Sequence, residues 1–252
     1  MKSFILYSSI AFILFSCNIA GNEYAAETVI STEVLDTVKS VPANLGASPV
    51  LFEAAFIKGT TLEFRKSIFT AYGVNIGKIK ISSGFITACD PLHIDEYGIP
   101  FMQAFPKGEF PVQLAIAKLG LEETIAFARI NFSDEPVVKW EFALQEGQTA
   151  IPLKGKKMHG YSVDAGIGIF IDDEANKALD KQHVMQSDGA VYKEMTKHYH
   201  NDWRYAMYNF GNHNLATFTT GLGDGYFASY IGFDAKGKPC RLITDFDLFK
   251  WK

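Results

Sequence analysis

The chain reads as mainly β, α+β at the margin, with antiparallel sheets forming a β-sandwich or half-open barrel and one or two peripheral helices. Three observations predict this. Aromatic residues are plentiful (21 Phe, 11 Tyr, 3 Trp), and such rings suit the half-buried pleated surface of a strand. Many of the 21 glycines fall between short alternating segments, where tight turns need them. Clear helical spacing is confined to one stretch, 173–185. With 48% hydrophobic and 21% charged residues, the chain has the material for a core and wholesale disorder is excluded.

Residues 1–16 read as a lipoprotein signal peptide. Lys2 precedes an apolar run from Phe4 to Phe15, the length of a signal core and too short to span a bilayer comfortably. The run ends in Leu14-Phe15-Ser16-Cys17, similar to a bacterial lipobox, so cleavage before Cys17 and acylation of its thiol are expected. Residues 17–48 follow as a lipidated tether, small and polar over 18–27 and loosely helical in spacing at Ile30, Val34, Leu35 and Val38. Residues 49–252 follow as one β-rich domain. The expected location is the bacterial cell envelope, lipid-anchored to the outer membrane and facing the periplasm. Asn18 is not the aspartate of inner-membrane retention, and no acidic run resembling a surface-export tag follows Cys17.

Within the domain, 78–82 and 84–90 flank a Ser-Gly turn, and 110–119 and 122–132 flank Gly120. Strands are predicted next at 137–144, 161–164, 167–172, 216–220, 226–233 and 240–249, as an antiparallel meander. Val138, Trp140, Phe142 and Leu144 alternate with Val137, Lys139, Glu141 and Ala143 and predict a buried face. Setting Ile130 opposite Trp140 aligns the apolar faces of 122–132 and 137–144 and brings Arg129 opposite Glu141. In the stretch 173–185, Ala175, Ala178, Leu179 and His183 share a helical face, and Ser187 or Asp188 is placed to cap a second helix reaching Lys197.

An ordered set of motifs resembles a bacterial family of unknown function, DUF 4241. It comprises Ser83-Gly84-Phe85-Ile86-Thr87-Ala88-Cys89-Asp90-Pro91-Leu92, Pro100-Phe101, Pro106-Lys107-Gly108-Glu109-Phe110-Pro111-Val112 and Trp140-Glu141-Phe142-Ala143. Val163-Asp164-Ala165-Gly166-Ile167-Gly168-Ile169-Phe170, Thr220-Gly221-Leu222-Gly223-Asp224-Gly225-Tyr226 and Asp245-Phe246 complete it. The resemblance runs from about Gly77 to about Leu248 and implies a shared fold, but no reaction, cofactor or ligand.

Asp90, Asp164 and Asp224 are the candidate ligand-binding carboxylates, because each stands at a strand end or beside glycines where the backbone turns tightly. Brought together, they suit a hard cation such as Ca²⁺, or sugar hydroxyls; each is equally able to bond its own turn. Tyr226 is the candidate contact beside them, with Trp203 as a second ring. Glu141 and Arg129 form a candidate ion pair, or Glu141 an acid. No metal ligand set is assigned: His198, His200 and His213 lack an HExxH or paired-cysteine partner, and the basic turn Lys154–Lys157 reads as solvated. Cys89 and Cys240 remain after lipidation, with Cys89 expected inside a strand.

The net charge of −4 weighs against nucleic-acid binding through a basic surface. No nucleophile elbow, phosphate loop or dinucleotide fingerprint is present, so no catalytic residue is assigned. The expected function is a ligand- or partner-binding envelope module for a glycan, peptide or protein. The alternatives are a carboxylate-based hydrolase, with or without a divalent cation, and an immunity or inhibitor protein.

Overall fold

Alternating apolar residues, broken by glycine turns, fold into β-strands through most of the chain. The computed structural model describes residues 33–34, 49–64, 66–181, 186 and 188–251, all within the unit spanning 32–252. Cys17, the stretch 1–16, most of 17–48, His183 and Ser187 lie outside the described residues. The strands are β1 (Glu33–Val34), β2 (Thr60–Phe64), β3 (Ser67–Ile81), β4 (Ile86–Cys89), β5 (Gly108–Leu119), β6 (Glu122–Asn131) and β7 (Lys139–Phe142). After them come β8 (Tyr161–Val163), β9 (Ile167–Asp172), β10 (Tyr199–His200), β11 (Trp203–Phe210), β12 (His213–Thr219), β13 (Gly225–Phe233) and β14 (Pro239–Asp245).

Two antiparallel sheets result among the described residues. Nine strands run in the order β1-β3-β5-β6-β14-β13-β7, with β2 also on β3 and β8 also on β13. Five run β10-β11-β12-β9-β4. The register of the large sheet shifts at Asn75/Gly77, Ala115/Ile116 and Gly232/Phe233, and extra residues of this kind bend and twist strands, which curls the sheet. The mainly β expectation holds.

Three apolar layers join the elements. Val74, Ile79, Leu114, Ile130 and Leu242 of the large sheet meet Ile86, Phe170, Trp203 and Phe218 of the small one. On the other face of the large sheet, Phe52 from the helix Leu51–Ala54 sits against Phe127, Trp140, Tyr230 and Trp251, with ring centroids 4.9–5.7 Å away. Each such ring pair adds about 0.5–1.5 kcal/mol beyond the area buried. The outer face of the small sheet (Ile169, Ile171, Leu215) is covered by Ile94, Ala175, Leu179, Val191 and Met195 on or beside the short helices. Those helices are Ile94–Tyr97, Asp173–Ala178 and Ala190–Lys197. No helix among the described residues is long and apolar enough to cross a membrane.

Several local expectations are corrected. The Ser-Gly turn does not close a hairpin: it carries the chain from β3 in the large sheet to β4 in the small one. Buried Asp172 fixes this crossing by accepting from Ser82 N, Ser82 Oγ, Ser83 N and Ser83 Oγ at 2.6–3.2 Å. The same carboxylate caps the helix Asp173–Ala178 through Glu174 N.

The register between 122–132 and 137–144 does not form. Strand β6 lies between β5 and β14, with Ile130 opposite Val112 and Leu242, while β7 pairs with β13. The reason is burial. Strand β6 is covered on both faces and takes β14, itself almost wholly buried, as its neighbour. Exposed Lys139 and Glu141 suit β7 to the sheet edge. Trp140 and Phe142 face inward as expected, but Val138 precedes the strand and is exposed. The helix after β9 ends at Ala178, which is exposed, and a later one begins at Ala190 with Gly189 at its cap position.

Candidate functional site

Two crossings between the sheets, 164–166 and 220–224, meet at one end of the sandwich. Asp90, 1% exposed, follows β4 directly and stitches this corner together. Its Oδ1 accepts from Leu92 N at 2.8 Å, and its Oδ2 accepts from Asp164 N at 2.7 Å and Ala165 N at 3.0 Å. The exposed Asp164 carboxylate faces His93 Nε2 at 3.3 Å. Gly166, at φ +62°, carries the chain past the next loop: a Cβ there would lie 3.5 Å from Gly223 Cα and 3.9 Å from Asp224 Oδ1. Thr220 N donates to Gly166 O at 3.0 Å and closes the contact. Asp90 and Asp164 are thus neighbours, and exposed Asp224 lies just beyond Gly166.

Among the described residues, no three His, Cys, Asp or Glu side chains form a group suited to a metal ion. Both oxygens of Asp90 are engaged by backbone N–H groups, which makes it a fastener for the corner. Tyr226, 47% exposed, pairs with Ser162 of β8. With Tyr97 and Ile99 it flanks a groove of about 270 Å³ floored by Gly160, Tyr161 and Ser162.

A second feature at this end is an open cavity of about 590 Å³, within the usual range of small-ligand sites. Gly166 and residues 219–223 form one wall, and Glu122, Glu123, Thr124 and Asp202 form another. Phe64, Phe69, Ala117 and Leu248 make the apolar side. Leu222, 72% exposed, stands at the lip. Gly221 is required there: its φ is +46°, and a Cβ would come within 3.0 Å of Phe246 Cβ. The Thr124 hydroxyl donates to Gly221 O, and Thr220 Oγ1 donates to Gly223 O at 2.8 Å, which fixes the loop.

Glu123 is the anchored charge of the cavity. Lys118 Nζ donates to Oε1 at 2.9 Å, Trp203 Nε1 donates to Oε2 at 3.2 Å, and the Tyr72 hydroxyl donates as well. Burial works to raise its pKa, but these donors outweigh burial and hold the carboxyl below its ordinary range. Burial, and then Glu123, push the Tyr72 phenol up, so it stays a donor. His200 stacks on Trp203 at 4.5 Å and 18°, and burial lowers its pKa against the opposing charge of Glu123. Lys118, Glu123 and Tyr72 also line a second cavity of about 450 Å³, so Glu123 borders both spaces.

The sequence did not single out Glu122, Glu123 or Asp202. The available signal was local: the Gly120 turn sets Lys118 opposite Glu123 in the β5–β6 hairpin. Trp203 is 2% exposed and holds Glu123, so it is not a surface contact.

The Arg129–Glu141 pair is also corrected. Arg129 is buried and donates to Gln113 Oε1 at 2.8 Å and Glu53 Oε1 at 3.0 Å, while Glu141 pairs on the surface with Lys139 at 2.5 Å. The two belong to non-adjacent strands, because β14 and β13 intervene. His200 and His213 lie at opposite ends of β11, paired with Trp203 and Phe210. Cys89 and Cys240 are free, buried thiols in different apolar layers.

A family model described as a protein of unknown function (DUF4241) matches residues 79–244. No curated protein and no solved structure matches the chain. The matched span includes both crossings that shape the cavity and Asp90, which braces the first of them.

Proposed function

The chain belongs to the DUF4241 family, and on that premise we propose that it is a small-ligand-binding module, tethered to the bacterial envelope, whose site is the 590 Å³ cavity. One observation carries the reading: an open, amphipathic cavity has an ionised glutamate fixed by three donors from separate elements, so its polar wall is organised before any ligand arrives. Rigid walls lower the ordering cost of binding. Asp90 serves by holding the 164–166 crossing through its backbone amides, and Asp224 lies beyond the Gly166 wall. Tyr226 and Tyr97 supply a neighbouring contact surface. The tether is a lipid on Cys17, supported by Leu14-Phe15-Ser16-Cys17, with the outer-membrane periplasmic face as its destination.

Thermal unfolding of the full chain in detergent, screened against oligosaccharides, short peptides and simple amines, tests the binding role. At least one class raises Tm saturably, by linkage. Leu222→Arg, at the exposed lip, leaves the unliganded Tm within about 1–2 °C and weakens that effect. A screen in which nothing shifts Tm sinks the proposal, and binding untouched by Leu222→Arg moves the site elsewhere. Cys17→Ser releases the protein from the membrane fraction; full retention contradicts the lipid tether.

A further inference from the structure

We propose that the groove between Tyr97 and Tyr226 takes an uncharged, extended peptide, which adds a strand to the free edge of β8. The argument starts from the floor of the groove. Strand β8 pairs only with β13, through Tyr161 with Phe227, Ser162 with Tyr226 and Val163 with Gly225. In an antiparallel pair, successive residues turn their N–H and C=O groups alternately toward the partner strand and away from it. The groups turned away have no other partner: among the described residues, no hydrogen bond beyond this ladder reaches the peptide groups of 160–163. A strand edge of this kind is a template for one more strand. Gly160, Tyr161 and Ser162 line the groove, so the unpaired edge borders the space that an added strand fills.

The walls supply the second, independent reason. Tyr97, Ile99 and Tyr226 line the groove and are each about half exposed. Met102, as exposed as they are, stands beside groove-lining Gln145, with its N–H on Leu144 O at 2.8 Å. Tyrosine and methionine are residue types that protein interfaces favour. The Tyr97–Ile99 wall is fixed in place. Ile99 N donates to Tyr97 O at 2.7 Å, Gln145 Nε2 donates to Ile99 O at 2.9 Å, and Asn176 Nδ2 donates to Gly98 O at 3.1 Å. A wall already ordered lowers the cost of binding. Across from it the Tyr226 ring lies over Gly160, where a Cβ would come within 3.1 Å of Tyr226 Cε1.

Charge narrows the occupant. No Asp, Glu, Lys, Arg or His lines the groove among the described residues, in a chain of which 21% is charged. A charged side chain would lose water here and meet no counter-charge, so the peptide is uncharged along this stretch. In an extended peptide every second side chain meets the same wall, which sets apolar residues at alternate positions. A sugar also stacks on tyrosine, but its hydroxyls do not reproduce the regular N–H and C=O spacing that a strand edge requires. No residue lines both this groove and the 590 Å³ cavity, so the groove is a separate site and does not rest on the cavity being one.

Blocked pentapeptides, acetyl-Thr-X-Thr-X-Thr-amide with Val, Leu or Phe as X, test this. Each is titrated calorimetrically into the full chain in detergent, and amide hydrogen exchange is read on the complex. At least one binds saturably and slows exchange within 160–163. N-methylation of one alternate set of its amides weakens binding about tenfold or more, and N-methylation of the other set is tolerated. Tyr226→Ala weakens binding about tenfold, whereas Tyr226→Phe keeps it, which separates a lost contact from a lost fold. Leu222→Arg leaves it unchanged. Failure of all three peptides to bind, binding that leaves exchange at 160–163 unaltered, or indifference to both N-methylated sets overturns the proposal. Maltotriose bound in place of the peptides, and lost in Tyr226→Ala, overturns it in favour of a sugar. Peptide binding that Leu222→Arg abolishes and Tyr226→Ala spares belongs to the cavity; it overturns the groove and leaves the small-ligand reading standing.

Discussion

Glu53 clamps the first helix of the domain to the large sheet, and removing it has a calculable consequence. Its Oε1 accepts from Arg129 Nη1 at 3.0 Å and Arg241 Nε at 3.1 Å, and its Oε2 accepts from Arg241 Nη2 at 3.3 Å. The arginine side chains are 10% and 8% exposed, so a single carboxylate neutralises two buried cations. Burial pulls Arg129 down to about 10; the Glu53 charge opposes this and the Arg241 charge adds to it, so Arg129 stays charged at neutral pH. In Glu53→Ala, Arg129 keeps Gln113, and Arg241 keeps the Ser133 and Cys240 carbonyls, but neither keeps a counter-charge. Breaking a buried pair in this way costs about 3–5 kcal/mol. For a domain of this size that is a Tm loss of about 10 °C. Glu53→Gln retains acceptor capacity and loses the charge, so it falls between. Urea unfolding followed by tryptophan fluorescence measures both variants. A loss below about 1 kcal/mol for Glu53→Ala refutes the reasoning, since surface pairs give that much.

Three further outcomes follow from buried groups. Glu123 has a depressed folded pKa, so its stabilisation is fully present above the ordinary glutamate value of about 4.3 and is lost as pH falls through the folded value. The Tm gap between the native protein and Glu123→Gln is therefore flat near neutrality and closes in acid; a gap unchanged down to the acid limb contradicts this. Asp90→Asn turns an N–H donor toward one of three backbone N–H groups and costs about 2–4 kcal/mol, read by urea unfolding, whereas a cost near zero removes Asp90 as the fastener. Burial pushes the Cys240 thiol up to about 11 and raises Cys89 further, so neither reacts with a thiol reagent until the domain unfolds. Rapid labelling of either in the native protein contradicts its placement.

Elements built on local chemistry were legible from the residues. Gly120 closes the β5–β6 hairpin and the turn after Phe233 closes β13–β14, because the alternation on each side and the turn lie within a few positions. Crossings between sheets were not legible. Gly84, at φ +87°, serves a crossing with the residue chemistry that also serves a hairpin, and Asp172, which selects the crossing, lies 89 residues after the Ser83 it holds. Strand β11 was missed because its burial pattern along Trp203–Phe210 does not alternate cleanly. Asp90 stood out in the sequence at a strand end before Pro91, yet what it does there is set by amides of a distant loop. Glu123 was invisible for the same physical reason: Tyr72, Lys118 and Trp203 reach it from three different strands or their ends.

Thermal unfolding of the full chain against oligosaccharides, short peptides and amines, with and without Leu222→Arg, tests the central claim most directly. The account predicts a saturable rise in Tm for at least one class and a weaker rise in Leu222→Arg, whose site stands at the lip of the cavity. A panel that leaves Tm unmoved, or one whose every rise is untouched by Leu222→Arg, contradicts it.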